Sequence, residues 1–110
     1  MRINLVSKRS VDKYIRKNNQ VKSLFYNWIK KIGTADWNSP HDIKETFGSA
    51  NHLGKGTNRV VFNIGGNRYR IICSYFFGKQ KVQLVIKWIG THAEYTKLCL
   101  SNKQYSVEQY

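Results

Sequence analysis

A histidine and a tyrosine three positions apart, His92 and Tyr95, come directly after a run of strand-forming residues at 81–89. Side chains at positions i and i+3 of a helix project from the same side of its first turn. Histidine is the side chain that most readily gives or takes a proton near neutral pH, and tyrosine stacks on bases or hydrogen-bonds phosphates. The pair is therefore a candidate for acid–base chemistry, provided that other reactive groups face it.

Thr91 and Glu94 interleave with this pair and have the S/T-x-x-E spacing of a capping box. In a capping box each side chain satisfies an unpaired backbone amide at a helix start, so these two residues have a sufficient structural role. The spacing predicts that a strand hands over to a helix here. His41 and His52 lie in polar, turn-like contexts and are predicted to be structural.

The positive charge of the chain is large and unevenly placed. The 110 residues carry 19 Lys and Arg against 6 Asp and Glu, a net charge of +13. No carboxylate occurs between Thr46 and Ala93, although several basic residues do: Lys55, Arg59, Arg68, Arg70, Lys79, Lys81 and Lys87. Cations that neutralise phosphates gain free energy by releasing counterions, so nucleic acid or an acidic protein is the predicted partner. Two-metal nucleases need clustered carboxylates, so any phosphate chemistry here is predicted to be metal-free.

The remaining bulk features predict one cytoplasmic domain. The hydrophobic content is 41%, enough for one modest core in a chain of this length. No stretch is long enough for a signal peptide or a transmembrane helix, so no membrane partner is expected. Cys73 and Cys99 are too few for a disulfide framework and show no metal spacing with a histidine, so neither metal nor cofactor is predicted. Residues 1–100 are assigned to the domain, and 101–110 to a polar tail that is predicted to be partly disordered.

The elements that must position these residues are predicted to be helices first and a sheet afterwards, which is the α+β class. A short strand is predicted at 2–6, helices at 10–18, 19–33 and 39–48, a loop at 49–58, and strands at 59–64, 68–77 and 81–89. Gly33 is predicted to end the second helix, and Ser39 to cap the third. The N-terminal helices are expected to pack on a small, twisted antiparallel sheet.

Alternation along the strands assigns their side chains to two faces. The face toward the helices is expected to include the set Val82, Leu84, Ile86 and Trp88, and Ile89 is expected on the other face. That other face also gathers Arg59, Asn63, Arg68, Arg70 and Lys87. A row of cations on a half-apolar surface predicts a phosphate-binding cleft. An ordinary solvated sheet face with basic decoration is the alternative.

Three stretches resemble the HigB-type toxins of bacterial toxin–antitoxin systems, which belong to the RelE/ParE-like superfamily. They are "WNSPHDIKETFGSAN" (37–51), "RVVFNIGGNRYRII" (59–72) and "IGTHAEYTKL" (89–98). The resemblance implies the RelE/ParE-like toxin fold and an mRNA interferase, an endoribonuclease that cuts messenger RNA, in many relatives on the translating ribosome. It also implies a cognate, HigA-like antitoxin with a helix-turn-helix domain.

The same resemblance implies roles for individual residues. Toxins of this superfamily commonly carry a Tyr-Arg pair in the sheet whose arginine binds the scissile phosphate, and Arg70 matches that position. The stretch "GTHAEY" matches the region of a general acid or base and a substrate-contacting aromatic, which implies His92 and Tyr95. Lys87 falls where the pattern usually has Lys or Arg. Family members often have Asp where this chain has Thr96, so catalysis here is expected to be weaker or differently organised if that Asp orients the histidine.

Metal-free RNA cleavage gives each candidate a task. The ribose 2′-OH loses its proton, attacks the neighbouring phosphorus and expels the 5′-oxygen, which requires a base, an acid and cations beside the non-bridging oxygens. Arg70 is assigned to the scissile phosphate and Lys87 to further electrostatic stabilisation. His92 is assigned to proton transfer and Tyr95 to stacking or hydrogen bonding, and the identity of the base stays open. The RNA-binding residues are predicted to be Lys55, Arg59, Asn63 and Arg68.

Two alternatives share much of this pattern. A ParE-like relative would use the same scaffold to poison DNA gyrase and would need neither His92 nor the cationic row. A non-catalytic RNA-binding module would depend on Arg68, Arg70 and Lys87 and would be indifferent to the loss of His92. Acidic antitoxin segments are expected either to dock on the positive face or to inhibit from a distant surface.

Overall fold

The computed structural model describes residues 1–110 and has the predicted α+β architecture. Its helices are α1 (Lys8–Lys17), α2 (Lys22–Thr34), α3 (Pro40–Thr46) and α4 (His92–Leu100). Its strands are β1 (Arg2–Val6), β2 (Asn51–His52), β3 (Arg59–Ile64), β4 (Tyr69–Phe77) and β5 (Lys81–Thr91). Short 3₁₀ turns lie at Asn19–Val21 and Lys103–Tyr105. None of the helices has the length and apolar character that crossing a membrane requires.

The strands form one mixed sheet in the order β1-β5-β4-β3-β2. Strands β2 to β5 are antiparallel, as predicted for the three long hairpin strands, and β2 is a two-residue addition within the predicted loop. β1 differs from the expectation of an antiparallel sheet, because it pairs in parallel with the first half of β5. A parallel pair requires a long crossover connection, and α1, α2 and α3 lie within that connection.

Helices α1, α2 and α3 cover one face of the sheet and enclose the main core. The apolar stripe predicted for the second helix supplies Val21, in the 3₁₀ turn before α2, and Phe25, Trp28 and Ile32 on α2, all buried. The predicted end of this helix was wrong by a small margin, since α2 continues through Gly33 to Thr34. The helix ends where Ala35 turns to an extended backbone and buries its side chain. The third predicted helix is confirmed, with Ser39 and Asp42 forming a capping box.

A β-bulge in the β4–β5 pair changes which face the end of β5 presents. The register shifts between Ile72 and Cys73, so that Lys87 is the extra residue on β5. An extra residue reverses the alternation of side chains beyond it. Ile89 therefore lies in the main core, and Trp88 lies on the opposite face. The prediction that Trp88 faced the helices and Ile89 faced away was wrong for this reason.

The opposite face carries a small apolar cluster of Val61, Ile72 and Trp88. Tyr95 and Leu98 of α4, and Val107 beyond it, pack against this cluster. The segment after α4 packs back on this face through contacts of this kind, and Gln104 within it is buried. The polar composition of this segment did not predict these contacts. We call residues 101–110 the C-terminal tail.

Candidate active site

Strand β4 and helix α4 bring Arg70, His92 and Tyr95 together at one end of the sheet. Arg70 lies near the start of β4, opposite Gly90 of β5. His92 is the first residue of α4, and its backbone amide donates a hydrogen bond to the carbonyl oxygen of Arg68 at 2.8 Å. The start of the helix is thereby fixed to the strand that carries Arg70.

The turn from β5 into α4 has a capping box and a closely packed glycine. The Thr91 amide donates to the Glu94 carboxylate at 2.8 Å, and the Glu94 amide donates to the Thr91 hydroxyl at 3.2 Å, which confirms the predicted box. A Cβ atom on Gly90 would lie 2.4 Å from the Trp88 indole ring, so glycine alone lets this ring lie across the turn. The ring centroid of Trp88 is 6.1 Å from that of Tyr95, and this contact supports the tyrosine.

The Arg70 guanidinium is buried without a carboxylate partner. The residue is only 7% exposed. Its acceptors are all uncharged: the Tyr69 carbonyl oxygen at 3.1 Å, the Asn67 Oδ1 at 2.5 Å and the His92 Nδ1 at 3.0 Å. The guanidinium carbon also lies 5.9 Å from the centroid of the Tyr95 ring. A buried charge without a counter-charge is costly, so this position is suited to an anion that arrives from solution.

The contact with Arg70 determines which nitrogen of His92 carries the proton. A guanidinium can donate but cannot accept a hydrogen bond, so Nδ1 accepts and the proton of the neutral ring is on Nε2. His92 is exposed, which leaves this proton available to a ligand. The Thr96 hydroxyl donates to the backbone carbonyl of His92 at 3.1 Å and does not orient the ring. The residue that orients the His92 ring is therefore Arg70, through its hydrogen bond to Nδ1.

Tyr95 is suited to contact a substrate and not to take a proton from it. Burial, followed by a hydrogen bond to Cys99, raises the pKa of the Tyr95 phenol well above its ordinary value, and the positive charge of Arg70 opposes this only in part. The phenol therefore stays protonated at neutral pH. Its ring packs between Trp88 and the Arg70 guanidinium, a position from which it can stack on a planar group such as a base.

Asn63 and Arg68 lie beside this cluster, and Asn67 joins it. Asn63 of β3 is the cross-strand partner of Arg70. Arg68 is exposed, and its Nε donates to the Gly65 carbonyl oxygen at 3.3 Å. Asn67, which holds the Arg70 guanidinium, was not among the predicted site residues. The signal for it was its place in the hairpin turn directly before the strand that carries the arginine.

Two other predicted cations lie apart from this cluster and bind the C-terminal tail. Arg59, also 7% exposed, donates to the Val107 carbonyl oxygen at 2.8 Å and to a Glu108 carboxylate oxygen at 2.9 Å. Lys87 donates to the other oxygen of that carboxylate at 2.7 Å. The hydrogen bond from Lys87 holds the pKa of Glu108 below its ordinary value, with a further contribution from the charge of Arg59.

Further contacts fasten the tail. The Lys55 ammonium lies 4.9 Å from the centroid of the Tyr105 ring. The Gln109 amide donates to the Lys87 carbonyl at 2.9 Å, and the Ile89 amide donates to the Gln109 side chain at 3.0 Å. The predicted cations therefore fall into two groups. One group is open around Arg70, and the second, which we call the tail-bound cations, consists of Lys55, Arg59 and Lys87.

The remaining histidines and cysteines have ordinary contacts. The His41 ring lies 3.0 Å from the Glu45 carboxylate, and the His52 ring lies 3.0 Å from the Pro40 carbonyl oxygen. The cysteines are free thiols. No group of three or more His, Cys, Asp or Glu side chains is placed where it could hold a metal ion.

Comparison with known proteins gives a family for this architecture. Residues 21–98 match the family model of HigB_toxin, described as the RelE-like toxic component of a toxin-antitoxin system. The relatives include "mRNA interferase toxin HigB" of Escherichia coli (strain K12) and "mRNA interferase HigB" of Escherichia coli O157:H7 and of Shigella flexneri. Each is 27% identical over 93 residues, which is 84% of this chain and 88% of the relative. The span matched by the family model contains the Arg70 cluster and ends before the C-terminal tail.

Proposed function

This chain belongs to the HigB family of RelE-like toxic components of toxin–antitoxin systems, and from that membership we propose that it is an mRNA interferase. The relatives named above support the proposal, because each is named as an mRNA interferase. The observation that carries it is the buried Arg70 guanidinium, which has no carboxylate partner and lies 3.0 Å from the Nδ1 of an exposed histidine. These supply two of the groups that cleavage of a phosphodiester needs: a cation for the phosphate oxygens and a proton donor for the leaving oxygen.

The proposed reaction is cleavage by the RNA's own ribose. The 2′-oxygen forms a bond to phosphorus, the bond from phosphorus to the 5′-oxygen breaks, and a cyclic phosphate and a 5′-hydroxyl result. Arg70 turns its guanidinium from His92 to the non-bridging oxygens, where negative charge develops in the transition state. The positive end of α4 lies at the same place and adds to this field.

The proton transfers begin when Arg70 leaves the His92 Nδ1 for the phosphate. Nδ1 is then free to take a proton from solvent, and the resulting imidazolium donates its Nε2–H to the departing 5′-oxygen, so His92 acts as the general acid. The protonated phenol of Tyr95 is not a base, and it contacts the nucleotide next to the scissile bond. In this scheme the proton of the 2′-OH leaves to solvent. Cleavage proceeds by side-chain chemistry and needs no metal ion.

The proposal extends to where the protein acts and what restrains it. A net charge of +13 favours ribosomal RNA as well as mRNA, so we propose that it cuts mRNA on the translating ribosome in the cytoplasm. Family membership implies a cognate antitoxin. We propose that this antitoxin is a HigA-like protein with a helix-turn-helix domain.

Cleavage of a defined mRNA by the purified protein tests the proposal. The reactions contain EDTA or Mg²⁺, with and without ribosomes, and compare the wild type with Arg70→Ala and His92→Ala. His52→Ala is the matched control, since His52 contacts the Pro40 carbonyl away from the site. Cutting in EDTA that only the site variants lose is the expected result, and the ribosome lanes decide whether ribosomes are needed.

Two results would overturn parts of the proposal. Cutting that stops in EDTA and returns with Mg²⁺ would remove the metal-free mechanism. RNA that stays intact in every lane, while expression of the protein still arrests growth, would sink the nuclease function and favour gyrase poisoning.

A further inference from the structure

Glu108 is an exposed anion placed over two fixed cations. Its side chain is 56% exposed, whereas those of Arg59 and Lys87 are 8% and 20% exposed. Each carboxylate oxygen accepts from one of them, at 2.9 Å from the guanidinium and 2.7 Å from the ammonium. The cations are held by the sheet, and the anion comes from near the end of the chain. The arrangement is therefore a preformed anion site with a removable occupant.

Arg59 is held by contacts besides the one to the Glu108 side chain, and Lys87 is held by the place of its backbone in the sheet. Arg59 also donates to the main-chain carbonyl oxygens of Gln104 and Val107, at 3.4 and 2.8 Å, and it is a residue of β3. Lys87 is fixed at the bulge of β5. A surface carboxylate paired in this way contributes little free energy, because water and salt screen it. A polyanion that contacts these cations and other basic groups of the protein at once can displace it at small cost.

The position of the site indicates which anion it takes. Arg59 and Arg70 project from the same face of the sheet, since Arg59 meets the tail and Arg70 meets α4. Asn63, the partner of Arg70, is four residues along β3 from Arg59, a separation of about 13 Å at the usual rise of a strand. A phosphodiester has two non-bridging oxygens that can replace the two oxygens of a carboxylate, and successive phosphates of one RNA strand follow such a path.

We propose that Arg59 and Lys87 form a phosphate subsite for RNA beside the scissile position, and that Glu108 occupies this subsite when no RNA is bound. RNA binding displaces the carboxylate, so the tail is a weak internal competitor of the substrate. Lys87 then becomes free to stabilise the bound RNA. The inference rests on the proposed function in one respect, because RNA is the ligand.

Binding of an uncleavable RNA tests this inference. The probe is a short single-stranded RNA with 2′-O-methyl groups on every ribose, and its Kd is measured by fluorescence anisotropy at several salt concentrations. Glu108→Gln removes the competitor. Glu45→Gln is the matched control, because it makes the same charge change at an exposed residue of α3 whose ion-pair partner is His41. Thermal unfolding checks that each variant is folded.

Glu108→Gln is expected to bind the probe about two- to fivefold more tightly than the wild type, the range that corresponds to a screened ion pair. Glu45→Gln is expected to change the Kd by less. The salt dependence should become steeper in Glu108→Gln, because the two cations then exchange solution anions, and not a carboxylate, for phosphate. In a Lys87→Ala background the gain from Glu108→Gln should shrink.

A second variant controls for hydrogen bonds that the glutamine side chain could still form with Arg59 and Lys87. Removal of residues 107–110 takes away Glu108 together with the carbonyl of Val107 that Arg59 contacts. If the truncated protein is folded, it should bind the probe at least as tightly as Glu108→Gln.

The inference is overturned if Glu108→Gln binds no more tightly than Glu45→Gln, or more weakly than the wild type. Glu108 would then be a structural clasp that keeps the two cations in place. This failure is distinct from failure of the proposed function. If RNA cleavage is normal but Glu108→Gln does not bind RNA more tightly, only the proposed competition by Glu108 is wrong. If Glu108→Gln binds RNA more tightly but natural RNA is not cleaved, only the proposed nuclease function is wrong.

Discussion

Arg59 and Arg70 lie on adjacent strands, face the same side of the sheet and are each 7% exposed, yet their partners are of opposite kinds. Arg59 meets a carboxylate and main-chain oxygens of the tail. Arg70 meets an amide, a carbonyl and an imidazole, none of which carries negative charge in that arrangement. The chain therefore compensates one buried charge and leaves the other uncompensated. The two arginines are therefore distinguished by their hydrogen-bond partners, although both lie among the basic residues of this sheet face.

The largest effect is expected from Arg70→Ala. In the proposed mechanism Arg70 stabilises a phosphoryl transition state, so its removal should lower kcat/KM for RNA cleavage by about 10³-fold. Stability should change little, because the substitution removes a buried charge with no carboxylate partner. Single-turnover cleavage and urea denaturation measure the two quantities. If Arg70→Ala instead loses much stability and little cleavage activity, Arg70 has a structural role, like the one that we assign to Arg59.

His92→Ala should lower the cleavage rate by about 10²-fold, near the lower end of general-acid effects. The modest size follows from the contacts of the ring, because Thr96 hydrogen-bonds the backbone and no carboxylate orients the imidazole. The rate is measured under single-turnover conditions beside His52→Ala. Equal rates for the two variants would remove His92 from the mechanism and leave Arg70 to act alone.

Arg59→Ala should affect stability where Arg70→Ala affects chemistry. It removes hydrogen bonds that hold the tail, and we expect a loss of about 2 kcal/mol in the free energy of unfolding. The released tail should also become accessible to proteases. Urea denaturation and limited proteolysis measure these effects. If Arg59→Ala leaves the stability and the protease resistance of the tail unchanged, the contacts of Arg59 do not stabilise the fold, and the contrast with Arg70 is wrong.

The smallest effect is a pH dependence of the tail contact. The hydrogen bond from Lys87 lowers the pKa of Glu108 in the folded protein below the ordinary value of 4.5. A lowered pKa means that the carboxylate stabilises the fold above that ordinary value and ceases to do so as the pH falls through the folded pKa. The stability difference between wild type and Glu108→Gln should be constant from about pH 7 to about pH 5, begin to fall near pH 4.5, and vanish once the pH is below the lowered pKa of the folded protein. It should be small, because the side chain is more than half exposed.

Urea denaturation across that pH range measures the difference. If the difference persists undiminished when the carboxyl is protonated, Glu108 acts through packing and hydrogen bonding and its charge is immaterial.

The parts of the fold that sequence reasoning predicted depend on neighbouring residues. The capping box of Thr91 and Glu94, the apolar stripe of α2 and the hairpin turn at 65–67 are local patterns, and each is present. The encounter of Arg70 with His92 could be anticipated because a strand end and a helix start both have local signals. The functional roles of these residues stay predictions.

The parts that were missed depend on residues far apart in the chain. The bulge at Lys87 has no glycine or proline to announce it, yet it exchanges the faces of Trp88 and Ile89. The polar tail has no apolar pattern, and it is bound by Arg59, which lies 49 positions before Glu108. The composition of a segment predicts its behaviour in isolation. It does not predict contacts with residues on a distant strand.

The parallel pairing of β1 with β5 has a consequence for the order in which the molecule is completed. β1 is synthesised first, but its partner is residues 81–85, and the Asn4 side chain meets that of Gln83 across 79 positions. Contacts of such long separation form late in folding. The helix that carries His92 emerges later still. A growing chain therefore contains Arg70 before it contains His92, and the ribosome must nearly finish the protein before these two side chains can meet between β4 and α4.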